Sequence, residues 1–206
     1  LSITVRNINS VHKCQSMSNY SKMSNFDLNS IENLRSQFEC ELTANPDLYH
    51  PIDIERVRSE DWQIRRYLLD AKDGNLDEAY ANLLRTLEWK QEFEVHRFSE
   101  DYYPTEFYQL YGLEKGGGKD KDGRLVFSEC FTSQRHYNEL DRCFKQMVAV
   151  SLEAMDRLVG EKGMCYLGDF TATPIVNLDL GLARFRLEIL TKHYPLLARR
   201  IILNNV

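Results

Sequence analysis

The 206-residue sequence is poor in proline, with five, and has only ten glycines. That scarcity excludes a collagen and a proline- or glycine-rich low-complexity chain. No apolar run approaches the roughly 18 residues of a membrane-spanning helix, so no segment reads as one. Surplus positive charge is also lacking: 26 Lys and Arg face 31 Asp and Glu, for a formal net charge of -5 and a pI near 5.6. A chain-wide nucleic-acid surface needs a basic footprint that this balance does not supply. The five cysteines, Cys14, Cys40, Cys130, Cys143 and Cys165, are odd in number, and no two are spaced C-x-x-C. That argues against a disulfide framework or a zinc ribbon and for small buried side chains. What remains is 43% hydrophobic, 11% aromatic and 28% charged, an ordinary globular composition. The length suits one domain, or one domain with a helical extension.

Periodicity divides the chain. Residues 1–25 are rich in Ser and Asn, lack periodicity and read as disordered. Leu28, Ile31, Leu34, Phe38 and Leu42 then step by three and four, which predicts an amphipathic helix over 27–44. Pro46 and Pro51 mark a break. Ile64, Tyr67, Leu68 and Ala71 predict a helix over 61–72. Asp73-Gly74-Asn75 is the turn, and Tyr80, Leu83, Leu84 and Leu87 predict a helix over 77–93 with Asp77 as its N-cap. A shorter helix is expected at 104–112.

The character changes at 114, where a polar, glycine-rich connection runs to Gly123. Strands are expected at 124–130, 164–169 and 201–203. Helices at 139–160 and 177–192 separate them. The second of these helices carries apolar residues on several sides, including Leu180, Leu182, Phe185, Leu187, Ile189 and Leu190, and so should be buried between layers. Strand, helix, strand, helix, strand is the pattern of a parallel α/β sheet. The expected division is a disordered 1–25, a helical subdomain over 26–113 and an α/β domain over 114–206. The chain opens on Leu1 and closes on the apolar run Ile201 to Val206, so a C-terminally truncated fragment is expected, with an unpaired apolar sheet edge.

Signals of catalysis are weak. Gly116-Gly117-Gly118-Lys119 lacks the other residues of a phosphate-binding P-loop, with Leu113 and Asp120 at the required positions, and it precedes a strand instead of following one. Asp169 ends a predicted strand, where open α/β sheets place ligands, but Thr171 occupies the position an aspartyl phosphatase gives to a second carboxylate. His12, His50, His96, His136 and His193 show no metal-ligand spacing and read as surface or interface residues. No G-x-S-x-G elbow is present. Arg184, Arg186, Lys192, Arg199 and Arg200 against Glu188 form a local basic segment suited to anionic headgroups. The balance favours binding over chemistry: no enzyme, no cofactor and no metal are expected.

Several segments, in order, carry a resemblance. Asp61 to Ala79 (DWQIRRYLLDAKDGNLDEA) resembles the basic, Leu-rich helix, turn and Ala-bearing helix that open the CRAL-TRIO, or Sec14-like, lipid-binding family. Thr86-Leu87-Glu88-Trp89-Lys90 is similar to the family's following helix end. Asp120 to Val126 resembles its D-x-x-G-R-P-V entry to the first strand, with Leu125 in place of Pro. Tyr166-Leu167-Gly168-Asp169 resembles the second strand, and His193-Tyr194-Pro195 with Ile201 to Asn204 resembles the approach to the third. The likeness covers about residues 50–206.

The resemblance implies a helical N-terminal subdomain and an α/β/α sheet domain holding one lipid in an apolar cavity, with transfer between membranes. The positions it places on the cavity wall are Phe127, Val148, Leu152, Met164, Tyr166, Ile189, Leu190, Tyr194, Ile201 and Leu203. It further implies a hydrophobic lipid as partner, peripheral contact with a membrane surface, no nucleic acid, and a cytoplasmic protein at intracellular membranes, the endoplasmic reticulum among them. The position of the Glu that phosphatidylinositol-transfer members carry before the Tyr-Pro pair is taken here by Phe185 or a nearby residue, and the gate helix and headgroup-contacting Lys would lie beyond Val206. A non-transporting interaction domain of the same fold is the other reading.

Overall fold

The computed structural model describes residues 2–6, 28–111, 113–114, 118–133, 137–174 and 179–205. The chain forms two compact units. One holds the helices up to Phe98 together with Thr191–Pro195, and the other holds the sheet with Ser99–Leu190 and Leu196 onward. The helix expected at 104–112 therefore belongs with the sheet.

The helical unit contains α1 (Leu28–Ala44), α2 (Pro51–Ser59), α3 (Asp61–Asp70) and α4 (Leu76–Glu92). Helix α2 has no counterpart in the sequence reading, which took Pro51 as a break. Pro51 stands in the first turn of α2, where its missing N–H costs nothing, and the His50 side chain caps the end by accepting from the Ile52 N–H at 3.2 Å. Between α3 and α4 the backbone turns left-handed at Asp73 (φ 54°) and Gly74 (φ 71°). The N-cap of α4 is Asn75, not Asp77: its side chain accepts from the Glu78 N–H at 3.0 Å. The periodic residues meet in one core of Ile31, Leu34, Phe38, Ile64, Leu68 and Leu83, all essentially inaccessible. Each contributes about 1.5–3 kcal/mol by burial.

The histidines depart from expectation. The His96 side chain is buried and its Nε2 lies 2.6 Å from Asp53 Oδ2, while Lys90 Nζ donates to Asp53 Oδ1 at 3.0 Å. His193 is also buried, stacked on Trp89 with ring centroids 4.2 Å apart. Tyr194 meets Trp89 edge-on and lies under the Lys90 ammonium. Thus 191–195 is held in the helical unit by aromatic contacts that no local pattern announces. His12 and His136 lie outside the described residues. Among the described cysteines, Cys165 is buried and Cys40 exposed.

The sheet unit adds α5 (Thr105–Tyr111), α6 (Asp141–Val159) and α7 (Leu180–Lys192) to five strands: β1 (Ser2–Arg6), β2 (Leu113–Glu114), β3 (Val126–Cys130), β4 (Met164–Asp169) and β5 (Ala198–Asn204). Their order is β1-β5-β4-β3-β2, parallel throughout except for the antiparallel β2. The α/β class read from the sequence is the observed one: β3-α6-β4-α7-β5 is a run of parallel crossovers. Two expectations fail. Residues 2–6 are not disordered but pair with β5, and so the β5 edge is covered, with Ile3 opposite Ile201. The rest of 1–25 and the Gly116-Gly117 part of the glycine run lie outside the described residues. Helix α7 is not buried on all sides either: Leu180 and Leu187 are 73% and 57% exposed, because the sheet covers a single face of the helix.

Register sets which side chains share a face. Phe127, Tyr166 and Ile201 are aligned across β3, β4 and β5, as are Glu129, Gly168 and Leu203. Gly163 makes the tight entry to β4. It sits at φ +66°, and a Cβ there would lie 2.8 Å from the Leu197 carbonyl oxygen. Gly160, at φ +53°, has open space around it. Gly163→Ala is therefore expected to destabilise the sheet unit by on the order of 3 kcal/mol in chemical denaturation, and Gly160→Ala by only about 1 kcal/mol. Equal losses would show that the backbone approach at Gly163 does not constrain the strand.

Candidate functional site

The two rows of inward side chains on β3 and β4 are roofed by α6 and α7. On α6, Val148, Ser151, Leu152 and Met155 follow the i, i+3, i+4, i+7 spacing of one face. On α7, Arg186 and Leu190 are one turn apart on the face that also buries Leu182 and Ile189. These elements enclose a cavity of about 20 Å3, lined by Phe127, Glu129, Val148, Ser151, Leu152, Met155, Met164, Tyr166, Arg186 and Leu190. That is room for about one water molecule, well short of the ~300–1,000 Å3 usual for small-molecule pockets.

The structure brings together six positions singled out from the sequence: Phe127, Val148, Leu152, Met164, Tyr166 and Leu190. Four others do not line the cavity. Ile189 is buried on α7, and Ile201 is buried on β5 one strand further along the sheet. Leu203 packs beside Gly168, where a Cβ would come within 3.2 Å of it. Tyr194 is taken up by Trp89 and Lys90 in the helical unit.

The cavity wall also holds a polar cluster that sequence reasoning missed. Glu129 is wholly buried and Arg186 nearly so, and Arg186 Nη1 donates to Glu129 Oε2 at 2.5 Å. The Tyr166 hydroxyl donates to the same carboxylate oxygen and lies 3.2 Å from Arg186 Nη1. The guanidinium faces the Phe131 ring at 5.8 Å. Burial lowers the Arg186 guanidinium to about 9, so it is cationic at neutral pH. Burial first, and then the neighbouring Glu129 carboxylate, push the Tyr166 phenol well above its ordinary value, which keeps it a neutral donor. Arg186 was counted with the exposed basic segment. A signal for its true place was available: it is four residues from Leu182 and three and four from Ile189 and Leu190, on the buried stripe. Likewise Glu129 alternates with Phe127 on the inward face of β3.

Asp169 has structural partners. Its Oδ1 accepts from the Thr171 N–H at 3.0 Å, the Thr171 hydroxyl at 2.6 Å and Asn204 Nδ2 at 3.1 Å. The Thr171 hydroxyl foremost holds its carboxyl below the usual range. These bonds close the turn after β4 and tie it to β5.

No protein-family model matches the chain. Among solved structures it is similar to Sfh5, at 18% sequence identity and a TM-score of 0.57, over 88% of this chain and 73% of that one. Sfh5 is a Sec14-family protein, and the architecture here, helices beside a small parallel sheet, is the Sec14-like α/β fold.

A buried ion pair stabilises little against an apolar replacement, but losing one partner strands a charge. Glu129→Leu should therefore cost about 3–5 kcal/mol, and Glu129→Leu with Arg186→Met markedly less, each read from urea denaturation. A double variant as unstable as the single one would mean that the pair is not coupled as the geometry indicates.

Proposed function

We propose that this protein binds one hydrophobic lipid in the cavity between α6, α7 and the inner face of β3 and β4. The observation that carries the reading is the lining itself: Phe127, Val148, Leu152, Met155, Met164 and Leu190 form a continuous apolar wall drawn from four elements. Burying a hydrocarbon there gains about 25 cal/mol per Å2 of apolar surface removed from water, which is what must offset its loss from a bilayer. As the elements are packed the cavity is about 20 Å3, so an acyl chain enters only where α6 and α7 part from β3 and β4. The role is binding and exchange, with no bond made or broken. Asp169, the carboxylate best placed by topology for chemistry, supports this because it is already committed to Thr171 and Asn204. The Sec14-like fold adds support by analogy.

Exchange with a membrane requires surface contact, and we include peripheral membrane association in the proposal. The exposed face of α7 offers Leu180, Arg184 and Leu187 at helical spacing. Arg186 adds nothing to it, because its side chain turns inward. No described helix is long and apolar enough to cross a membrane.

The test is a titration of the full chain with Nile red, an uncharged fluorophore of apolar sites. Saturable one-to-one binding is expected. Val148→Phe, which fills the cavity from α6, should weaken it at least about tenfold while costing about 1–3 kcal/mol of stability. Unchanged binding in a folded Val148→Phe variant would place the dye elsewhere and favour a domain of the same fold that binds a protein partner.

A further inference from the structure

As packed, the cavity has room for about one water, so a lipid enters only if a wall moves, and the two roofing helices are not held alike. Helix α6 buries ten of its 19 residues, and its Phe144 ring also packs on Phe107 of α5, with centroids 5.4 Å apart. Helix α7 buries four of its 13: Leu182, Arg186, Ile189 and Leu190. On its other side Leu180 and Leu187 are exposed. An element with few buried apolar contacts opens at lower free energy than one with many.

The seam under α7 also differs in kind. Three of the four buried side chains are apolar, and the fourth, Arg186, is paired with the buried Glu129 on β3. Water opposes the opening of an apolar seam, because apolar surface must be wetted. It favours the opening of a buried ion pair, because each ion recovers the hydration that burial removed. The two ends of α7 are unequal as well. Its first turn is closed on itself, with the Leu182 N–H donating to Asp179 Oδ1 at 2.8 Å. Its last turn leads into 191–195, which Trp89 holds by stacking on His193. Lifting the first half, around Leu182 and Arg186, therefore keeps the helix whole and the far end anchored.

We infer that α7 is the moving wall of the cavity: its first half lifts from β3 and β4, the Glu129–Arg186 pair separates into water, and the ligand passes through the gap. This rests on the lipid-binding reading above and adds to it which element opens. The binding-competent state is then a minor one, and the observed association rate scales with its population. Leu180 and Leu187 give the lifted helix an apolar side to lay against a lipid surface.

Two measurements on the full chain test this, the first without any ligand. In Leu182→Cys and Met147→Cys, labelling of the introduced thiol by N-ethylmaleimide, located by peptide mass, reports the exposure of a buried position on α7 and on α6. Leu182→Cys is expected to label at least about tenfold faster, since α7 opens short of global unfolding. The second measurement is the stopped-flow association of Nile red. Leu182→Ala, which loosens α7 at a residue outside the cavity lining, should speed association about tenfold. Met147→Ala, a comparable truncation on α6 and also outside the lining, should leave it within about twofold. Glu129→Leu with Arg186→Met, which makes the seam apolar throughout, should slow it at least about threefold. Equal labelling of the two thiols, equal acceleration by the two truncations, or undiminished association in the apolar-seam variant would overturn the assignment while leaving lipid binding intact. Failure of Nile red to bind any of these proteins would overturn the lipid reading, and this inference with it.

Discussion

The Glu129–Arg186 ion pair fastens α7 onto β3, two strands away from the one the helix leads into. Covering one face of a parallel sheet with two helices leaves space wherever their inward side chains do not interdigitate with the strands. Here the pair props that space on one side, while Val148, Leu152 and Met155 of α6 border it on the other. Because α7 is held by a charge-assisted bond and not only by apolar packing, its rotation about its own axis is fixed. Leu182, Ile189 and Leu190 then face in, and Leu180, Arg184 and Leu187 face out. One interaction thus sets the shape of the cavity, its polarity and the composition of the outer surface.

The helical unit follows a different logic. Its core is the regular meeting of amphipathic faces, and its polar interior is centred on Asp53, which takes Lys90 and His96 together. The segment 191–195 is built into this unit by Trp89, Tyr67 and Lys90, and so the chain leaves the sheet unit at the end of α7 and returns to it for β5. The Tyr-Pro pair is therefore a fixed structural anchor.

Local periodicity made much of this legible. Helices α1, α3, α4 and α6 were readable because their burial depends on residues three and four apart, and the β-α-β-α-β order was readable because it is a property of succession. What escaped depends on partners distant in sequence. The charge on Arg186 hid its inward position until Glu129 was beside it. Tyr194 looked like a wall residue because the aromatic group that claims it lies some hundred residues earlier. Strand β1 alternates Ile3 and Val5 with polar residues, but it is short and its partner β5 lies at the far end of the chain. Pro51 showed the opposite failure: a residue read as a breaker marks a helix start when the position before it can cap. In the cavity, most of the apolar lining and Tyr166 were implied by the family resemblance, while Glu129, Ser151 and Arg186 came from the structure alone.

The account stands or falls on whether the space under α6 and α7 receives a lipid. Native mass spectrometry of the protein purified from cells, and again after incubation with vesicles of mixed lipids, measures that directly. A fraction of the protein carrying one non-covalent adduct with the mass of a single lipid is the predicted result. A spectrum of bare protein under both conditions, from a sample shown to be folded, would contradict it.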